Sequence, residues 1–329
     1  MEITAKNVNG MFSEGLWRLK TWGVKSDSRN GPVVMINEPV ILTLNKPQER
    51  VLFYGERDCN PIFHLLESVH ILAGRKDVAF LKQFNSSIGN YSDDGESFNA
   101  AYGFRARHHF GEDQLIGVIN KLNSDRNTRQ AVIQLWDAAD LNKQTLDKAC
   151  NTQLIFSITD DTLVLTVFNR SNDFIWGNTG ANAVHFSIWQ EFVAAATSSR
   201  IGKMRTVSNN LHIYLNLYPK FNHFLDYPPP PDTYDLYSSG EVEPVSIGVT
   251  PDNYMKWLGD AEKFCNNPAG FPLGSEPFFI DVAYPMAMVS VTRKSKKGDG
   301  MRWVDCITAP DWKIATSDWV ERREAKKVA

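Results

Sequence analysis

Cysteine is scarce, with 4 in 329 residues, at Cys59, Cys150, Cys265 and Cys306, and no two stand in a CxxC pair. Such spacing gives neither a zinc site nor a dense disulfide frame, and it fits a reducing compartment. Long apolar runs are missing too. Nothing approaches the roughly 18 residues of a membrane span, and Met1 to Gly23 is polar and mixed, so a soluble, unprocessed, cytoplasmic chain is expected. There is no cationic excess: the formal net charge is −3 and the pI about 6.2. That leaves no basic footprint for a nucleic-acid polymer, although a monomeric nucleotide needs only a local cluster of cations. The histidines other than His212 (His64, His70, His108, His109, His185, His223) show no HExxH or similar ligand spacing, so no metal is assigned. No GxGxxG or Walker-type loop suggests a dinucleotide or ATP, and no internal repeat is present.

What remains is globular: 43% hydrophobic, 12% aromatic and 22% charged residues are enough for one large packed body. Met11, Phe12, Leu16 and Leu19 stand at helical spacing and predict an opening amphipathic helix over 8–22. Residues 33–44 read as one β-rich run. Residues 61–72 and 77–84 read as helices, and Asp113 as the N-cap of a helix carrying Leu115, Ile116, Ile119 and Leu122 on one face. Three β-rich runs follow at 131–136, 152–159 and 162–168, the last two joined by Asp160-Asp161 in a tight turn. A buried helix over 182–196, an extended run over 205–214 and a short helix over 218–224 complete the body. The prolines at 228–231 mark a boundary. The expected organisation is a catalytic body over 1–227 and a partly helical extension over 228–329, whose role the sequence leaves open.

The densest signal lies between Lys148 and Gln190, KACNTQLIFSITDDTLVLTVFNRSNDFIWGNTGANAVHFSIWQ. A cysteine at a strand entry is followed by a hairpin, an Arg-Ser-Asn-Asp run at the exit of the next strand, and an asparagine at a helix start. Together with HLLESVHILAG, AAYGFRAR, SDRNTRQAVIQLWD and LHIY, in that order, it resembles the thymidylate synthase superfamily over roughly residues 10 to 225. The RSND wording is similar to that of the bacteriophage deoxypyrimidine hydroxymethylases. The resemblance implies an α/β (α+β) fold with a large mixed sheet and flanking helices. It also implies a homodimer that carries a one-carbon unit from 5,10-methylenetetrahydrofolate to C5 of a pyrimidine nucleoside monophosphate.

That chemistry explains the residue types. C5 of a pyrimidine is a poor nucleophile until a thiolate adds at C6, and Cys150 is the candidate for this covalent step. If the fold brings Arg170 close, the guanidinium would favour the thiolate. Arg170 and Ser171 match the family's phosphate pair, suited to a dianion through charge-assisted hydrogen bonds. Arg29 resembles a second phosphate arginine and Arg129 one donated across the dimer interface, with Gln130 where the family commonly has a further arginine. Glu67 matches the carboxylate that organises proton transfer around the base O4, and Tyr102 a residue that helps remove the C5 proton. His212 with Tyr214 match the pair on the sugar hydroxyl. Asp173 matches the carboxylate that holds the pterin, with Leu146, Trp176 and Gly177 as further folate contacts.

Asn182 falls at the base-reading position, with Asn178 a competitor because the loop 177–181 is one residue longer than the usual spacing. An amide meets the O4 acceptor and N3 donor of uracil, whereas cytosine would favour a carboxylate, so a uracil nucleotide is expected. The product turns on water. Ile88 and Tyr91 stand nearest the positions where thymidylate synthases place tryptophan, Ala149 and Asn151 flank Cys150 in place of the usual Pro and His, and a long extension replaces the closing tail. These departures point to a deoxyuridylate 5-hydroxymethylase serving nucleotide modification in a phage. Thymidylate synthase and a cytidylate hydroxymethylase are the alternatives, and a non-catalytic nucleotide-binding relative is a reading from another class.

Overall fold

The computed structural model describes residues 1–216, 234–294 and 300–328. The expected helix over 218–224 and the prolines at 228–231 lie outside the described residues. Strand β1 (Glu2–Ala5) is followed by helix α1 (Val8–Trp22), whose cap is Asn7 accepting from the N–H groups of Asn9 and Gly10. Strands β2 (Val24–Ser26), β3 (Val33–Ile36) and β4 (Val40–Leu44) come next. Helices α2 (Pro61–Leu72), α3 (Val78–Lys82), α4 (Tyr102–Phe104) and α5 (Gln114–Ser124) precede β5 (Val132–Gln134), β6 (Asn151–Thr159), β7 (Thr162–Asn169) and β8 (Asn172–Asp173). After α6 (Asn182–Ala196) run β9 (Arg200–Ser208) and β10 (Leu211–Tyr214).

The strands form a six-stranded mixed sheet in the order β1-β4-β9-β7-β6-β5 and a four-stranded one in the order β2-β3-β10-β8. Side chains of β7 alternate between buried and half-buried, as a sheet with one face on the core requires. The β6–β7 turn is closed by Asp160 and Asp161 at φ 48° and 55°, the left-handed pair that matches strand twist. Asp113 caps α5 through the Ile116 N–H at 3.2 Å.

Two expected runs are each broken. Residues 33–44 are two strands, β3 and β4, in different sheets, with Pro39 between them unable to extend a ladder. Residues 205–214 likewise turn at Asn209-Asn210, so β9 lies in the large sheet and β10 in the small one. Neither break changes the alternation of apolar residues, so periodicity passed over both.

Helix α2 is central: every residue in it except Glu67 is buried. It packs against α6, which is buried almost all round, as a helix inside a large core is. Helices α7 (Tyr254–Asn266), α8 (Tyr284–Lys294), α9 (Met301–Asp305) and α10 (Pro310–Val328) follow, and α7, α8 and α10 pack against α2. The joint also carries polar bonds: the Val51 N–H donates to Tyr237 Oη at 3.3 Å, Glu191 Oε1 accepts from Ile247 N–H at 2.9 Å, and Arg323 meets Asp58 at 2.7 Å. No helix among the described residues is long and apolar enough to cross a membrane.

Candidate active site

Cys150 is half-buried immediately before β6, and its position is held by the next strand. The Arg170 N–H donates to the Cys150 carbonyl at 3.0 Å, while the Arg170 side chain turns back to donate to the Ala149 and Lys148 carbonyls at 2.8 and 3.3 Å. Thus anchored, Arg170 Nη2 stands 3.8 Å from Cys150 Sγ, and the guanidinium lies over the Trp136 ring. The expected approach of cation and thiol is present, and the guanidinium favours the thiolate as expected, but burial outweighs it. Burial pushes the Cys150 thiol above its usual range, and Arg170, with Arg29 behind it, only partly pulls it back. The unliganded protein therefore holds a thiol at neutral pH.

Cys150 opens into a cavity of about 620 Å³ that is also lined by Arg29, Arg170, Ser171, Asp173, His212 and Tyr214. Strand pairing accounts for much of this: parallel β8 and β10 place Asp173 opposite His212. Asp173 caps the irregular helix at 174–181, its Oδ1 accepting from the N–H groups of Ile175 and Trp176 at 2.8 Å each, while Oδ2 is buried with no partner. Burial pushes this carboxyl up and the neighbouring His212 imidazole down. The ring of His212 is oriented by Asn210 Oδ1, 2.8 Å from Nδ1. Asn30 Nδ2 reaches Tyr214 Oη at 3.3 Å and ties the turn bearing exposed Arg29 to the small sheet.

Glu67, Tyr102 and Asn182 do not line this cavity. They face a second one, of about 210 Å³, between α2 and α6, together with Ile88, Tyr91, Asp147 and His185. Tyr102 separates the two spaces: its hydroxyl accepts from the Cys150 and Asn151 N–H groups at 3.3 and 3.4 Å. Burial raises its pKa, so the phenol stays neutral and keeps a proton to donate. Gly103 makes this placement possible, because a Cβ there would come 2.0 Å from the Ile71 carbonyl oxygen.

Of the two asparagines, Asn178 is turned inward, its Oδ1 accepting from Asn172 Nδ2 at 3.2 Å, and Asn182 borders the cavity. Asn182 does not cap its helix; that position belongs to Ala181, and the extra loop residue is absorbed by the wide turns of 174–181. Leu146 and Trp176 are 57% and 52% exposed, large apolar groups left in solvent near Asp173 and Asp147. Trp176 is covered on one face by Arg57, which donates to the Ile175 carbonyl at 2.9 Å. Arg129 is exposed ahead of the edge strand β5 and lines neither space.

Residues 49–236 match the thymidylate synthase family. The chain belongs to that family. It is 43% identical to the deoxyuridylate hydroxymethyltransferase of Pseudomonas phage M6, over 98% of this chain and 94% of that protein. It is 38% identical to the protein of that name from Bacillus phage SP01, over 55% of this chain and 50% of that one. The thymidylate synthase of T4 phage shares the fold with a TM-score of 0.57 at 20% identity, covering 67% of this chain and 81% of that one. The expected α/β architecture and one-carbon transferase class are both met. Among residues that sequence reasoning passed over are Arg57 and Asn210, which brace Trp176 and His212, and His185, one helical turn from Asn182 and 3.0 Å from Glu67. Only His185 had a sequence signal, its i,i+3 spacing from Asn182.

Proposed function

We propose that the protein is a deoxyuridylate 5-hydroxymethylase. The carrying observation is the 43% identity to a protein named for that activity over nearly the whole of both chains, extension included. In this reading Arg170, Ser171 and Arg29 take the phosphate, and His212 with Tyr214 the sugar hydroxyl. Arrival of a dianion would stiffen Arg170 beside Cys150, and the thiolate then adds to C6. With the C6–S bond formed, the electron pair of the C5=C6 bond attacks the one-carbon unit, and Tyr102 helps remove the C5 proton.

The folate site offers suitable groups: the buried carboxyl oxygen of Asp173 without a partner can accept from a pterin N–H group, and Trp176 and Leu146 are exposed apolar side chains. Bound there, 5,10-methylenetetrahydrofolate supplies carbon at the oxidation level of formaldehyde. After that carbon is transferred, water adds to the exocyclic methylene on C5, the pair moves to O4 as an enolate, and the enolate expels Cys150 to restore C5=C6. Ile88 and Tyr91, the latter 58% exposed, line the wall where a tryptophan seal would exclude that water. Mass spectrometry of the product from dUMP tests the reading. A gain of CH₂O over dUMP, without the absorbance rise of dihydrofolate, is expected; a gain of CH₂ with stoichiometric dihydrofolate makes the enzyme a thymidylate synthase.

The reading includes a cytoplasmic homodimer in which each site receives Arg129 of the partner subunit, supported by the exposure of Arg129 and its absence from the walls of both cavities of its own chain. Mixing inactive Arg129→Ala with inactive Cys150→Ala subunits should restore activity, since a mixed dimer holds one site intact at both positions. Absence of recovery despite demonstrated subunit exchange removes the shared site.

A further inference from the structure

His185 is 4% exposed, and neither of its ring nitrogens has a hydrogen-bond partner. Its Nε2 lies 3.0 Å from Glu67 Oε2, but the two are not aligned as a hydrogen bond. Two other buried histidines are anchored: His70 Nε2 meets the Asp77 carbonyl at 3.1 Å and His212 Nδ1 meets Asn210 at 2.8 Å. Leaving a buried polar atom unpaired costs about 1 to 3 kcal/mol, and such groups gather where a ligand or water completes them.

The place of His185 says what completes it. It stands one turn after Asn182 on α6 and faces Glu67, the single residue of α2 that is not buried. The cavity they share, about 210 Å³, has room for water beyond a base substituent. We propose that His185, together with Glu67, holds the water that captures the C5 methylene, making it a further catalytic residue. The proposal rests on the hydroxymethylase reading. His185 fixes the water by one ring nitrogen while Glu67 takes its proton as the C–O bond forms. The methylene pair passes into the ring enolate, Cys150 leaves C6 with the C–S pair, and the proton is lost to solvent from Glu67. A hydride-transferring enzyme needs no such holder.

Single-turnover measurements with dUMP tritiated at C5 separate the steps, because tritium is lost before water adds. Wild type is run first, and dTMP as its product would overturn both the reading and the role of His185. With 5-hydroxymethyl-dUMP as that product, His185→Leu is expected to lower its formation about a hundredfold, the scale of a misplaced reactant, while tritium release falls less than tenfold. Intact-protein mass should then show nucleotide accumulating on Cys150. His185→Gln, which keeps a donor and an acceptor near the Nε2 position, should recover about tenfold of the loss. Equal loss of tritium release and product in a His185→Gln protein that still binds dUMP would overturn the proposal, as would no loss in either variant.

Discussion

The two cavities that Tyr102 separates are built from different material. The one holding Arg170, Asp173 and His212 is framed by strand ends, and its side chains are anchored by backbone carbonyls, N–H groups and Asn210. The one holding Glu67, Asn182 and His185 lies between two buried helices, and it keeps a histidine without partners. The first is suited to gripping an anion in one pose. The second offers few fixed donors, and in the proposed reading it takes the base and the water that captures the methylene. Tyr102 ties them, because its one hydroxyl touches the cysteine backbone on one side and borders the base cavity on the other.

The comparison breaks most sharply at the thiol. Cys150→Ala should lower turnover more than a thousandfold while dUMP binding by equilibrium dialysis is largely kept, since the phosphate and sugar contacts lie elsewhere. Turnover above that level would remove Cys150 from the chemistry. On the strand-built side, Arg170→Leu should cost about a hundredfold in kcat/KM, from lost charge-assisted bonds to phosphate. It should also alter alkylation of Cys150 by iodoacetamide. Burial places the thiol above its usual range and Arg170 opposes this, so removing the cation moves the pKa further up and slows alkylation at a given neutral pH. In wild type the rate should keep rising with pH past the usual thiol range. Faster alkylation in the variant would contradict the electrostatic assignment.

The helix-built side should respond in kind of substrate more than in rate. Asn182→Asp replaces the amide donor facing uracil O4 with a carboxylate, so the ratio of kcat/KM for dUMP over dCMP should fall about tenfold, within the 1 to 3 kcal/mol typical of an unpaired buried group. A wild-type preference for dCMP would show that Asn182 is not the reader.

Much of this was legible because local rules were strong. The bounds of α2 and α6 follow from Asn60 and Pro61 at the start of one and the mostly apolar stretch of the other, and the Asp160-Asp161 turn from its preference for left-handed backbone. The breaks after Ile36 and Ser208 were not legible, because which sheet a strand joins is set by partners far along the chain. His185 was passed over since α6 is buried all round, and a histidine there looks like any other filler until Glu67 is seen opposite it.

The order of motifs from Glu67 to Tyr214 by itself determined the family and the reaction class. Covalent activation of C5 needs a thiol, a phosphate cation and a base-reading amide, and these residue types in this order have few other uses. Tertiary structure alone decided that burial outweighs Arg170 at the Cys150 thiol, that Asn182 rather than Asn178 borders the smaller cavity, and that His185 faces Glu67. Each of those depends on burial and on distances between elements far apart in the chain, which no local pattern encodes.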